Sequence, residues 1–339
     1  VADGIFQRVV KADVESLYPS IMLSNQIHPA TDTENSFLPM LEHLTNRRLE
    51  AKTNFQKATT ETDRTYWDGL QGSYKILINS FYGYLAYGRA NFNDYDAAGQ
   101  ITTIGQQIAH SMVNTLKDLG AEIIEVDTDG VYFVAPDNIT TETAENALIA
   151  SISATLPKGI HLSHDGRFKG MISLKAKNYI LSDYNNKLTI KGSSLRSRRD
   201  ERIFRQFITE LAPLLIEKNF EGASLAYLDL AHKLQDGQIS PEDFCRWERI
   251  SKKTFSNPNL RRLAKAGEDS KIGDKIAVYQ REDGSLARTD FFAHDEDRKY
   301  LLRRLHDTAE RFHTLFDDAE FKKLFPNVQP KVRNQLTLF

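Results

Sequence analysis

Residues 122–134 read EIIEVDTDGVYFV, two apolar runs around Asp127-Thr128-Asp129-Gly130. Runs of that length and β-branched content read as strands, and a short turn between them forces antiparallel pairing. The chain must therefore build an antiparallel hairpin with two carboxylates at its turn. Residues 5–14, IFQRVVKADV, add a second constraint of the same kind. A β-branched run ends in an acid, which predicts a core strand delivering Asp13 to a strand terminus. Neighbouring strands would bring Asp13, Asp127 and Asp129 close together, where carboxylates repel unless a cation lies between them. A hard divalent ion such as Mg²⁺ suits such a site, since it takes oxygen ligands and keeps positions open for phosphate. Two such ions form the clamp used for in-line displacement at phosphorus. Asp-Thr-Asp-Gly is also, by itself, a good turn.

The stretch after Asp13, Val14-Glu15-Ser16-Leu17-Tyr18-Pro19-Ser20-Ile21, follows the strand without a break. Pro19 ends regular pairing, so the backbone N–H groups of Ser16 to Tyr18 can point at an anion. Residues 37–57 place Leu38, Leu41, Leu44 and Leu49 at near-helical spacing. A polar turn at 59–63 follows, with Thr62 or Asp63 as the expected N-cap. A second helix then runs through YKILINSFYGYL, making an antiparallel helical hairpin. On that helix Lys75, Asn79 and Tyr82 are spaced i, i+4, i+7, a cation, an amide and an aromatic on one face. That order suits a nucleotide. Arg48 and Lys52, also i, i+4, can reach the same phosphates or form a solvated face. Ile76, Leu77 and Ile78 make a core-like run.

A further helix is expected over 99–119, and two strands within 172–192 with Asn185-Asn186 as their turn. Beyond about residue 200 the chain reads as mainly helical, over 201–220, 223–235, 241–250 and 295–316. A strand-like interruption falls near 272–290. The overall charge is uninformative, 44 Lys+Arg against 46 Asp+Glu. Local charge is not: from Lys158 to Arg205 twelve basic residues face four acidic ones, a net +8, which suits a phosphate backbone. The single cysteine, Cys245, excludes an intramolecular disulfide and any multi-cysteine metal site. No apolar run reaches the ~18 residues of a membrane span, and no signal-peptide pattern opens the chain. The chain reads as soluble and cytoplasmic, with no membrane partner.

Together these residues resemble the polymerase domain of family B DNA polymerases. Asp13 to Ile21, DVESLYPSI, is similar to motif A, D-x-x-S-L-Y-P-S-I. Lys75 to Gly83, KILINSFYG, is similar to motif B, K-x-x-x-N-S-x-Y-G. Asp127 to Asp129 resembles the core of motif C, Y-G-D-T-D-S, with Glu125-Val126 in place of Tyr-Gly and Gly130 in place of Ser. Arg48 to Lys52 resembles the fingers pattern R-x-x-A-K, and Lys175 to Tyr179 the K-K-R-Y element that grips new duplex. Thr189 to Gly192 with Arg198-Arg199-Asp200 resembles the stretch leading into the thumb.

The resemblance implies an α+β right-hand fold: an antiparallel-sheet palm, helical-hairpin fingers and a mainly helical thumb. The palm would hold 1–36 and 86–195, the fingers 37–85, the thumb 196–325, and 326–339 a loosely held tail. It implies a template-directed DNA polymerase, acting in replication or repair, that adds dNTPs to a primer 3′ end with two Mg²⁺ ions. Asp13 and Asp129 would hold the metals with the Val14 backbone, and Asp127 would support them. Ser16, Leu17, Tyr18, Arg48, Lys52, Lys75, Asn79 and Tyr82 would bind the nucleotide, with Tyr18 under the sugar and Tyr82 near the nascent pair. Lys175, Lys177, Tyr179, Lys191 and Arg198 would hold primer-template DNA. The chain opens with Val1 immediately before motif A, so the family's N-terminal and exonuclease domains are expected in an upstream region or a separate chain. Short spacings between the motifs favour a nucleic-acid primer over a protein one. A rival is a polymerase-like DNA-binding subunit or scaffold without activity, prompted by the altered motif C flanks. A non-polymerase metal nuclease leaves the Lys75, Asn79, Tyr82 face unexplained.

The last five residues, Gln335-Leu336-Thr337-Leu338-Phe339, resemble the bacterial sliding-clamp pentapeptide Q-L-[S/D]-L-F. They imply a sliding-clamp partner and a bacterial or phage-infected cell, with the protein near the nucleoid.

Overall fold

In the computed structural model, which describes residues 2–197, 200–251 and 257–331, strand β1 (Gly4–Val14) ends in the acid the sequence assigns to it. The chain divides into two units, Arg8–Arg167 and, together, Ala2–Gln7 with Phe168 onward.

In the first unit, helix α1 (Leu17–Asn25) begins two residues after β1 ends. Helices α2 (Phe37–Lys57) and α3 (Glu61–Leu85) form the expected hairpin. The N-cap of α3 is Thr60, whose side chain accepts from the Asp63 N–H, and neither Thr62 nor Asp63. Only one end of the hairpin is rooted in the core, through Phe37, Leu41, Ile78 and Leu85. Leu49 is exposed, and the 76–78 run is not a core run. Ile76 is 74% exposed and Ile78 fully buried, because successive helical residues point about 100° apart.

Helix α4 (Tyr95–Asp118) precedes strands β2 (Glu122–Val126) and β3 (Gly130–Val134), the predicted hairpin. Helix α5 (Glu142–Ser153), which the sequence reading did not anticipate, is capped by Thr141. Strand β4 (Leu162–Lys175) starts ten residues ahead of the predicted strand region. The strand order within this unit is β2-β3-β1-β4. Register fixes the chemistry: β1 and β3 run antiparallel with Lys11 opposite Tyr132 and Asp13 opposite Gly130.

In the second unit β4 pairs with β5 (Asn178–Ser182), and β5 with β6 (Leu188–Lys191) across the Asn185-Asn186 turn. Helices α6 (Arg202–Ile216) and α7 (Phe220–Asp236) bury Phe204, Phe207, Leu211, Leu215 and Tyr227. The helix expected over 241–250 is only α8 (Pro241–Phe244). Arg246–Arg249 is strand β7, paired with β8 (Lys275–Gln280), which pairs in turn with β9 (Leu286–Arg288). Alternating exposure along Arg-Trp-Glu-Arg satisfies a two-residue period, and its backbone groups find partners in β8. Helix α9 (Pro258–Ala266) covers this small sheet. Helix α10 (Arg298–Ala309) is shorter than predicted and tightens into a 3₁₀ turn over Glu310–Leu315 before α11 (Asp318–Leu324).

The described part of the tail is tied down rather than loose. The Tyr227 hydroxyl donates to the Pro326 carbonyl at 2.8 Å, Gln235 Nε2 to Gln329, and Lys331 pairs with Asp236. Gln335–Phe339 and Arg198 lie outside the described residues. No described helix is long and apolar enough to cross a membrane.

Candidate active site

A cleft of about 840 Å³ opens in the first unit, lined by residues from β1, α1, α2, α3, the β2–β3 turn and β4. The predicted residues Asp13, Val14, Ser16, Leu17, Tyr18, Arg48, Lys52, Lys75, Asn79 and Asp129 all reach it. Four segments of the chain, 13–18, 48–52, 75–79 and the turn at 129, thus converge on one surface.

The turn between β2 and β3 carries its two acids differently. Asp129 lines the cleft, and its carbonyl accepts from the Val14 N–H at 2.6 Å, which fastens the turn to the end of β1. The Asp127 carboxylate accepts from the Thr128 N–H and its own N–H donates to Gly130, so Asp127 shapes the turn and does not line the cleft. Gly130 leaves open the space that the Asp13 carboxylate fills. A Cβ there would lie 2.5 Å from Asp13 Oδ1 and 3.1 Å from the Ala12 carbonyl.

Burial pushes the Asp13 carboxyl up. Lys11 pulls it down, while Asp129 and Asp165 push it up again, and the net shift is upward. Such crowding of acids is the observation a divalent cation would relieve. Asp13 and Asp129 present hard oxygen donors on an open surface, which fits Mg²⁺.

Ser16 sits at φ 49°, ψ 54°, a left-handed conformation that turns the chain sharply from β1 into α1. The first-turn N–H groups of α1 have no intrahelical acceptor, and Ser16, Leu17 and Tyr18 line the cleft. Free N–H groups at a helix start can receive an anion. Pro19 does not break structure there. It sits in the first helical turn, where a missing N–H costs nothing.

Arg48 Nη1 donates to Ser16 Oγ at 2.5 Å, while its buried Nε has no hydrogen-bond acceptor in the structure. Burial holds its pKa down, with Glu15 acting against the shift. Lys52 pairs with Glu15 at 3.2 Å, and Lys75 and Asn79 face the cleft exposed. Tyr82 does not line the cleft; its ring packs on that of Tyr18 at 4.4 Å between centroids. Gly105 of α4 leaves room on Tyr18's flank, since a Cβ there would lie 3.3 Å from the Tyr18 ring.

Sequence reasoning missed Lys11, Glu15, Lys158, His161, Ser163 and Asp165. Ser163 Oγ donates to the Asp13 carbonyl at 3.2 Å, and Lys11 pairs with Asp13 at 3.4 Å and with Asp165. Lys11, two residues before Asp13 on a strand, shares its face by period. That signal was present and unused.

In the second unit Lys175, Lys177 and Lys191 are exposed, whereas Tyr179 is 6% exposed and belongs to the sheet. Lys177 takes φ 59° in the tight β4–β5 connection. Gly192 lies against that turn, where a Cβ would overlap Asn178 and the Lys177 carbonyl. Part of the basic run is consumed internally: Lys169 pairs with Glu217 at 2.6 Å and Arg202 with Asp243 at 3.5 Å.

The family model for DNA polymerase family B matches residues 27–296. The chain belongs to that family. The DNA polymerase of Pyrococcus glycovorans is 25% identical over 327 residues, covering 87% of this chain and 42% of that protein. DNA polymerase 1 of Pyrococcus abyssi is 26% identical over 263 residues, covering 70% and 34%. The chain thus spans less than half the length of these archaeal relatives. The structure of the family B DNA polymerase from the hyperthermophilic archaeon Pyrobaculum calidifontis aligns over 93% of this chain and 46% of that one. The TM-score is 0.73 at 17% identity, a likeness of fold. The family match begins after Asp13–Ile21, so the motif A assignment stands on its own residues and their place in the cleft.

Proposed function

We propose that this chain is the polymerase core of a family B DNA polymerase, adding dNTPs to a primer 3′ end on a DNA template. The observation that carries the reading is the meeting of Asp13, Asp129, the α1 N-terminus and the cations Arg48, Lys52 and Lys75 in one cleft. Asp13 and Asp129 would hold two Mg²⁺ ions, with the Val14 backbone beside them. Ions held there would supply a lowered pKa for the primer hydroxyl and charge neutralisation for the triphosphate and the departing pyrophosphate.

The remaining roles belong to the protein. Arg48, Lys52 and Lys75 offset charge on the triphosphate, and the first-turn N–H groups of α1 orient it. Asn79 is placed to direct a polar edge of the nucleotide. Tyr18, backed by Tyr82, forms a flat floor for the sugar. Asp127 acts by holding the turn that carries Asp129. Lys175, Lys177 and Lys191, with Arg198, hold primer-template DNA through its phosphates, and Tyr179 supports them from within the sheet. We assign the palm to 1–36 and 86–195, the fingers to 37–85, the thumb to 196–325 and the tail to 326–339.

Primer extension with Mg²⁺ and four dNTPs tests the reading. Extension that stops without Mg²⁺ supports it; DNA binding without extension supports an inactive DNA-binding subunit instead.

The C-terminal pentapeptide is proposed to bind a bacterial sliding clamp, Leu336, Leu338 and Phe339 filling an apolar pocket and Gln335 adding a directional hydrogen bond. Thr337 stands where Ser or Asp is usual. The relatives named above are archaeal, so the bacterial or phage assignment rests on the pentapeptide alone. Deleting 335–339 should abolish clamp-stimulated synthesis on long templates and spare extension of short primers. Equal stimulation of both chains rejects it.

A further inference from the structure

Lys11 is the one cation in direct contact with Asp13 among the described residues. Its ammonium lies 3.4 Å from Asp13 Oδ1 and also pairs with Asp165 on the neighbouring strand. It is held from a third side by the Tyr132 ring, 5.7 Å to the centroid. The lysine side chain is only 21% exposed. Gly130 completes the arrangement from below: the oxygen of Asp13 that faces Lys11 occupies the space a side chain at 130 would fill. The two features are coupled through one atom, Asp13 Oδ1.

We propose that Lys11 is a positioning residue serving as a built-in counter-ion for Asp13 and Asp165, competing with divalent metal for the site. The inference rests on the metal-binding reading of Asp13 and Asp129. A single positive charge between two acids repels an incoming dication and engages one of the two Asp13 carboxylate oxygens. Metal binding therefore competes with the Lys11 contact. The ion pair keeps the acids ordered in the absence of metal, at the expense of affinity. Gly130 makes the parked position of Asp13 sterically possible. With serine at 130, the residue usual in motif C, Asp13 would have to rotate off Lys11. Glu125, the other altered flank of motif C, stands in the same cross-strand row, opposite Tyr132, which is opposite Lys11.

The experiment is Mn²⁺ binding followed by electron paramagnetic resonance, without DNA or nucleotide. It compares the unaltered chain with Lys11→Met, Lys11→Gln, Lys11→Arg, Gly130→Ser and Asp13→Asn. Lys11→Met and Lys11→Gln should each bind Mn²⁺ about tenfold more tightly, the equivalent of one unit of pKa. Lys11→Arg should stay near the starting affinity, because it keeps the charge. Gly130→Ser should tighten binding by a smaller factor. Circular-dichroism melting identifies which variants fold, and either neutral variant at 11 suffices.

If Asp13→Asn weakens Mn²⁺ binding while folded Lys11→Met or Lys11→Gln leaves it unchanged or weaker, the counter-ion role is rejected and the metal reading survives. If Asp13→Asn has no effect, or neither the unaltered chain nor the folded neutral Lys11 variants bind Mn²⁺, the metal reading falls and the inference with it.

Discussion

Asp13 in the first unit and Asp200 in the second are shifted in opposite directions, and burial alone ranks them wrongly. The Asp13 side chain is 26% exposed and its pKa is raised. Asp200 is 7% exposed and its pKa is lowered. Burial pushes both up. Asp200 is then overruled by Arg311 and Arg304, each 2.8 Å away and each donating to a different carboxylate oxygen. Glu201 joins the same group through Arg304 and the Tyr300 hydroxyl, whose pKa is pushed up to about 12 by burial and by Glu201. Charges in the second unit's network are consumed by one another. Asp13 has only a lysine that it shares with Asp165, and faces Asp129 besides. A saturated charge network reads as structure, and acids crowded around one shared lysine read as a candidate site.

Substitutions on the two sides should therefore fail in different ways. The largest effect is expected in the cleft. Asp129→Ala should lower single-turnover nucleotide incorporation by about a thousandfold or more while duplex binding persists. Near-normal incorporation would remove Asp129 from the site.

Next comes the network. Arg304→Met should destabilise the fold by about 3 kcal/mol, because Asp200 and Glu201 each lose one charged partner and keep only Arg311 and the Tyr300 hydroxyl at close range. Urea unfolding measures it, and a change within error would mean that the network is not structural. The sign of its pH dependence follows from Asp200. A carboxyl held below its ordinary value contributes stability above that value, and the contribution is lost as pH falls through the folded pKa. The stability gap between the unaltered chain and Asp200→Asn should accordingly be full near neutrality and shrink below about pH 4. A gap that grew in acid would reverse the assignment.

Tyr18→Ala should raise ribonucleotide use relative to deoxyribonucleotide by about tenfold, as the floor beneath the sugar opens. A tyrosine serving only the core would instead lower the melting temperature and leave sugar preference alone. The smallest effect is the mirror image of the Asp200 result. Asp13 has a raised pKa, so its charge costs stability as pH rises through the unfolded and folded values. Asp13→Asn should therefore leave the metal-free melting temperature at neutral pH unchanged or slightly higher. A marked drop would show that Lys11 depends on Asp13 for its place in the sheet.

The sequence determined a good deal by itself. Apolar, β-branched runs next to acids identified β1, β2 and β3, and the helical hairpin followed from spacing over 37–85. The order of Asp13, Lys75 and Asp129 along the chain was enough to name the family, because local patterns and short motifs are carried by neighbouring residues. Three-dimensional register decided the rest. That Asp127 turns into the hairpin while Asp129 turns out depends on which backbone groups the turn must satisfy. That Asp165 meets Lys11 beside Asp13 depends on pairing between strands some 150 residues apart in the chain, which no window of sequence contains. The strand at Arg246–Arg249 exists because β8 offers it partners. Whether a given charge is a tool or a tie was likewise settled only by its neighbours in space, since charge energies depend on distance and burial rather than on position in the chain.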